Sequence, residues 1–187
     1  MRSLIVFNSV TLDGYFTGPN ADMSWAHREH TDPEFDAFVA GNAKTGGMLL
    51  LGRTTYDMMA SWWPTSQAIK AFPEVAAGMN SAPKVVFSKK MEKSDWSNTR
   101  VVKGDLAAEV KKLKQEPGPD MAILGSGSIV AQLAPTGLID EYTFVLTPVV
   151  LGAGRTLFDG MKEKLNLELT KSRAFKNGNV VLSYSAG

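Results

Sequence analysis

The sequence predicts an α/β protein with a mixed, mostly parallel central sheet. Helices cover both faces, and antiparallel strands close the C-terminal end. Three observations carry this. Short apolar, β-branched runs alternate with helical stretches up to residue 134, the rhythm of strand–helix–strand crossovers. From residue 138 onward three strand-like runs follow with no helical run between them. Asn177-Gly178 separates the last two, a hairpin signal that pairs them antiparallel. The 187 residues suit one domain with a sizeable core, and no linker, repeat or low-complexity tract divides them.

Each element has a local reason. "SLIVFNSVTLDG" (3–14) is a buried strand ended by the turn pair Asp13-Gly14. Residues 15–31 are polar, with Gly, Pro and Asn, and read as a long loop. Asp32 is an N-cap, Pro33 the first helical residue, and Phe35, Phe38 and Val39 share a face. "GGMLLLG" (46–52) is a short strand, and "RTTYDMMAS" a helix stopped by Pro64. Residues 62–82 read as a loop with a short helix near Pro73. "PKVVFSKK" (83–90) and "TRVVKG" (99–104) are strands, and "DLAAEVKKLKQE" (105–116) is an amphipathic helix capped by Asp105. "DMAILG" (120–125) is a strand and "SGSIVAQLA" (126–134) a helix. The strands "LIDEYTFVLTPVVLG" (138–152), "LNLELTKSRAFKNG" (165–178) and "NVVLSYSA" (179–186) end the chain.

Composition narrows the function. Net charge is +1, so no broad electrostatic footprint points to nucleic acid or an anionic membrane. The chain has no cysteine, which excludes disulfides, zinc–thiolate sites and thiol catalysis. No apolar stretch approaches 18 residues and no signal peptide is evident, so a soluble, cytoplasmic protein is expected.

Three strand ends carry anion-binding chemistry, where open α/β sheets bind their ligands. Gly52-Arg53-Thr54-Thr55 opens a helix with free N–H groups, a guanidinium and two hydroxyls. Ser88-Lys89-Lys90 adds a hydroxyl and two ammonium groups. Gly125-Ser126-Gly127-Ser128 gives small residues and a second helix start. Singly, these are a helix cap, a solvated strand exit and a turn. Together they suggest one ligand with several phosphates, such as a dinucleotide. No G-x-G-x-x-G follows the first strand, so the site is not of standard Rossmann type.

The residues also carry a resemblance. "SVTLDGYFTG" (9–18), "LLLGRTTYDMM" (49–59), "KVVFSKK" (84–90), "AILGSGSIVAQL" (122–133) and "LIDEYTFVLTPVVLGAGRTLF" (138–158) resemble the dihydrofolate reductase superfamily. Within it, the chain is most similar to the C-terminal reductase domain of the bifunctional riboflavin-biosynthesis deaminase-reductase and its stand-alone relatives. The resemblance implies a dihydrofolate reductase-like three-layer fold, a usual homodimer, and NADPH-dependent reduction of a small heterocyclic substrate. The family's reaction is reduction of 5-amino-6-(5-phosphoribosylamino)uracil. It implies that Arg53 and Thr54 hold cofactor phosphates and that Ser88 and Lys89 favour the 2′-phosphate. Gly52 lies in the same step, and Gly125, Ser126, Gly127, Ser128 and Ile129 would cradle the pyrophosphate and nicotinamide side. The stretch 11–18, with Asp13 and Gly14, would border nicotinamide and substrate. The zinc-binding deaminase half has no counterpart here. The family's Glu-Gly-Gly at the glycine-rich strand end is Gly125-Ser126-Gly127.

Two carboxylates are candidates for the chemistry. Asp13 is either a substrate-facing group or the turn former of Asp-Gly. Asp36 matches the carboxylate of true dihydrofolate reductases, or it is a first-turn residue suited to the helix dipole. His27 and His30 lack the H-E-x-x-H pattern and a third ligand, and read as a solvated pair, so no metal is expected. Trp25, Trp62 and Trp63 either wall a planar substrate or pack. Two other readings stand beside the reductase: a nucleotide- or pterin-binding protein without turnover, and a genuine dihydrofolate reductase.

Overall fold

The computed structural model describes residues 1–26 and 32–187. His27 and His30 therefore lie outside the described residues. Among the described residues, ten strands and six α-helices follow in chain order: β1 Leu4–Thr11, β2 Tyr15–Thr17, α1 Pro33–Lys44, β3 Met48–Gly52, α2 Arg53–Trp62, α3 Ser66–Ala71, α4 Pro73–Ser81, β4 Lys84–Phe87, β5 Thr99–Val102, α5 Leu106–Gln115, β6 Met121–Leu124, α6 Gly127–Leu133, β7 Glu141–Thr147, β8 Arg155–Thr156, β9 Leu167–Ala174 and β10 Val180–Ala186. Eight strands form one sheet in the order β5-β4-β3-β6-β1-β7-β10-β9. The pairs from β5 through β7 are parallel; β7–β10 and β10–β9 are antiparallel.

Alternation along the strands sorts side chains to two faces. Leu4, Val6, Leu50, Val85, Met121 and Ile123 pack against α5 and α6 through Val110, Leu113, Ile129, Val130 and Leu133. Leu49, Leu51 and Val86 face the other way, against Tyr56 of α2 and Met79 of α4. Phe35 and Phe38 of α1 pack on Phe175, Val145 and Phe7. Phe7 stands in register beside Leu124 and shares that second face. The result is three layers: α5 and α6, the sheet, then α1, α2 and α4.

Local signals place most ends. Asp32 accepts from the Glu34 and Phe35 amides and starts α1 at Pro33. The β9–β10 turn runs through Asn177-Gly178, with Gly178 at φ +87°. Three expectations are corrected. The stretch 62–82 holds two helices, α3 and α4, the first capped by Thr65. The strand predicted over 138–152 ends at Thr147, because Pro148 has no N–H to continue the ladder. The loop 15–31 contains β2, which pairs antiparallel with β8 in a small separate ribbon.

Candidate active site

A cavity of about 420 Å3 opens where β3, β4 and β5 end and α6 begins. Gly52, Arg53, Thr54, Ser88, Lys89, Gly127, Ser128 and Ile129, all predicted site residues, line it. The fold thus brings three separate strand exits into one wall. A fourth exit, missed in the sequence, joins them: Lys103, Gly104, Asp105 and Leu106, between β5 and α5. The rule that found the other three applies equally to "TRVVKGD". Arg155 of β8 also reaches the cavity.

The donor chemistry is lopsided. Arg53, Lys89, Lys103 and Arg155 are cationic, while Asp105 is the one carboxylate lining the cavity among the described residues. Asp105 is engaged, accepting from the Ala108 amide at 2.9 Å as the cap of α5. Arg53 Nε donates to Asp57 Oδ2 at 2.7 Å, one turn along α2, which fixes the guanidinium and leaves its terminal nitrogens for a ligand. Lys103 pairs with Glu92 at 2.6 Å. Among the described residues no side chain caps the first turn of α2, whose N–H groups meet the cavity at Arg53 and Thr54. Ser88 Oγ accepts from the Met91 amide at 3.2 Å, which shapes the turn after β4.

Three predicted residues do other work. Ser126 is only 7 % exposed and lies in the left-handed region at φ +57°. Its hydroxyl accepts from Gly52 N–H at 2.8 Å and donates to Thr55 Oγ1 at 3.0 Å. Its own N–H donates to Thr55 Oγ1 at 3.1 Å. Ser126 therefore braces the site from behind through Thr55, whose hydroxyl the sequence reading counts among the anion donors. Gly125 packs on Thr55: a Cβ there would stand 3.1 Å from its side chain. The Gly125 N–H donates to Asn8 Oδ1 at 2.7 Å, while the buried Nδ2 of Asn8 has no partner among the described residues. Gly14, at φ +85°, shapes the turn after β1 and is not on the cavity wall.

The two candidate carboxylates do not line the cavity either. Asp36 is exposed on α1. Asp13 accepts from Thr11 Oγ1 at 2.6 Å, from Gly152 N–H at 2.7 Å and from Leu151 N–H at 3.0 Å. The Thr11 hydroxyl first, then the Gly152 and Leu151 amides, hold its carboxyl below the usual aspartate value. Trp25 is buried and Trp63 packs against the α2–α4 side of the core. Among the described residues no helix is long and apolar enough to cross a membrane.

The mixed sheet, parallel from β5 to β7 with antiparallel C-terminal strands, is shared with solved dihydrofolate reductase-like structures and gives the chain that class of fold. Within that class, the chain belongs to the RibD C-terminal domain family, which matches residues 2–181. The uncharacterized protein YyaP of Bacillus subtilis (strain 168) is 30% identical over 183 residues, covering 98% of this chain and 94% of YyaP. A putative riboflavin biosynthesis protein from Shewanella sp. PV-4 has a similar structure, with TM-score 0.74 and 24% identity, covering 99% of each chain. The dihydrofolate reductase of Enterococcus faecalis, solved in complex with NADP(H), superposes with TM-score 0.66 at 12% identity, covering 99% of this chain and 96% of that one.

Proposed function

We propose that this chain is an NADPH-dependent reductase of a small heterocyclic substrate, similar to the phosphoribosylamino-uracil reductases of riboflavin biosynthesis. The observation that carries this reading is the cavity itself: four strand exits, four cations and one engaged carboxylate. That donor set fits a dinucleotide with a 2′-phosphate, whose phosphates need several separated cationic and N–H donors. NADPH, when bound, supplies the hydride. Arg53, Thr54 and the first turn of α2 would hold the diphosphate. Lys89, Lys103 and Ser88 would hold the 2′-phosphate. Gly127, Ser128 and Ile129 would flank the chain toward the nicotinamide.

Asp36 is exposed and Asp13 is engaged by three donors, and we assign the proton to neither. On this reading water supplies it. The same facts weigh against a genuine dihydrofolate reductase, which would place a carboxyl of α1 against its substrate. They also leave a binding protein without turnover as the rival. Oxidation of NADPH in the presence of the ribosylamino-uracil phosphate, dihydrofolate and related pterins separates the three. Turnover with the uracil alone supports the proposal; turnover with dihydrofolate alone, or binding with no oxidation, contradicts it. We also propose a homodimer through the β9 side, where the outermost strand leaves seven of eight residues exposed. Light scattering should then give twice the 20.2 kDa chain mass; a monomer mass at micromolar concentration contradicts it.

A further inference from the structure

Arg155 is the cation of the cavity that the strand-exit pattern does not account for. It sits on no strand of the main sheet. It is exposed, and among the described residues its guanidinium has no ion-pair partner, whereas Arg53 and Lys103 are paired with Asp57 and Glu92. What brings it to the cavity is the ribbon of β2 and β8, in which Thr17 pairs with Arg155 and Tyr15 with Thr156.

That ribbon is fixed at three points. Phe16 and Leu157 are buried in the core, and both close on Gly127. A Cβ at Gly127 would lie 2.9 Å from the Phe16 ring and 3.3 Å from the Leu157 carbonyl oxygen. Gly154, just before Arg155, has φ +152°, and a Cβ there would lie 2.1 Å from the Thr17 carbonyl oxygen. Only glycine lets the two chains approach so closely. The third point is Asp13. Its carboxylate ties the end of β1 to the Leu151 and Gly152 amides, and the Thr11 hydroxyl that donates to it also accepts from the Tyr15 amide at 3.0 Å. One side chain thereby fastens both strands of the ribbon.

We propose that Arg155 contacts the nicotinamide-side phosphate of the bound dinucleotide, and that Asp13 is the positioning residue that holds Arg155 over it. This rests on the reductase reading above. The sheet order sets the spacing. Lys103 follows β5, while Arg155 lies two residues before Leu157, whose carbonyl meets Gly127 after β6, three strand steps away. At ~4.8 Å per step this is about 14 Å, so an adenosine half alone does not reach it. A guanidinium without an ion-pair partner among the described residues, on an otherwise fastened ribbon, suits a bidentate grip on phosphate.

The test compares two ligands: NADPH, and 2′,5′-ADP, which lacks the nicotinamide-side phosphate. Affinities are measured calorimetrically for the wild type, Arg155→Gln, Arg155→Lys, Asp13→Asn and the Arg155→Gln/Asp13→Asn pair. Arg155→Gln should weaken NADPH by about tenfold or more, as for loss of a charge-assisted hydrogen bond, and leave 2′,5′-ADP unchanged. Arg155→Lys should recover part of the loss. Asp13→Asn should weaken NADPH but not 2′,5′-ADP, and the double variant should be no weaker than Arg155→Gln alone. A general loss of structure would weaken both ligands together. Equal losses for both ligands, no loss in Arg155→Gln, or losses that multiply in the double variant overturn the inference while the reductase reading stands. A wild-type protein that binds neither ligand overturns the reductase reading, and this inference with it.

Discussion

Replacing Ser126 with Ala should destabilise the protein by about 1–3 kcal/mol, the combined worth of two hydrogen bonds, the part-buried one from the Gly52 N–H and the buried one to Thr55 Oγ1. The Gly52 N–H, which now meets Ser126 Oγ at 2.8 Å, loses its acceptor. Thr55 Oγ1 keeps the Ser126 N–H at 3.1 Å, so that half of the brace survives. Replacement by Gly removes the same hydroxyl but also relieves the left-handed backbone at φ +57°. That conformation costs a residue with a Cβ roughly 1–2 kcal/mol, part of which glycine returns in unfolded-state entropy. Ser126→Gly should therefore be about 1 kcal/mol more stable than Ser126→Ala, though below wild type. Urea unfolding followed by the fluorescence of the four tryptophans measures all three proteins. A Ser126→Ala variant as stable as wild type, or a Gly variant less stable than the Ala variant, refutes the bracing role.

Other positions give independent checks. Lys84 is 1 % exposed, with its ammonium donating to the Ala82 carbonyl at 2.6 Å and lying 4.4 Å from the Trp96 ring centroid. Burial pushes its pKa down to about 8. Between about pH 8 and the ordinary lysine value the unfolded chain holds more protons at this site, so stability should rise with pH there. The gain is at most about 3 kcal/mol. Urea unfolding at pH 7 and pH 10 should show this rise in wild type but not in Lys84→Met; parallel pH profiles refute it. Gly127→Ala should displace the Phe16 ring, 2.9 Å from the added Cβ, and cost about 1–3 kcal/mol as overpacking does; unchanged thermal unfolding contradicts it. Burial pushes the Asp32 carboxyl up, but amide hydrogen bonds led by Asn177 outweigh this and hold it below its ordinary value. Its stabilisation is therefore present above the unfolded-state pKa and lost as pH falls through the folded one. Asp32→Asn should flatten that acid limb of the unfolding curve, and an unchanged limb counts against it.

The sheet was largely legible because its strands are short, apolar and punctuated. "GGMLLLG" and "PKVVFSKK" leave no alternative to a buried strand. The hairpin at Asn177-Gly178 fixed the antiparallel end by turn chemistry alone. What escaped lacks periodicity. β2 and β8 are three and two residues long, too short for any alternation to register. Their pairing is tertiary, set by Phe16 and Leu157 seating in the core. The helices α3 and α4 follow one another around Pro73 without a long amphipathic face. At the site, residue types at strand exits found most of the wall. They did not separate side chains that face the cavity from those that brace it. Ser126 and Ser128 stand two residues apart in one Gly-Ser run, yet a left-handed turn buries the first and leaves the second on the cavity wall.

The central claim is that the strand exits form one site for a phosphorylated dinucleotide. The most direct test is titration of the protein with NADPH and NADH, followed by tryptophan quenching, in wild type and Arg53→Ala. The account predicts micromolar binding of NADPH, weaker binding of NADH, and a loss of ~1.5–3 kcal/mol in the variant, the worth of a charged hydrogen bond. Absence of binding by either nucleotide at millimolar concentration, or an Arg53→Ala variant that binds NADPH as well as wild type, contradicts it.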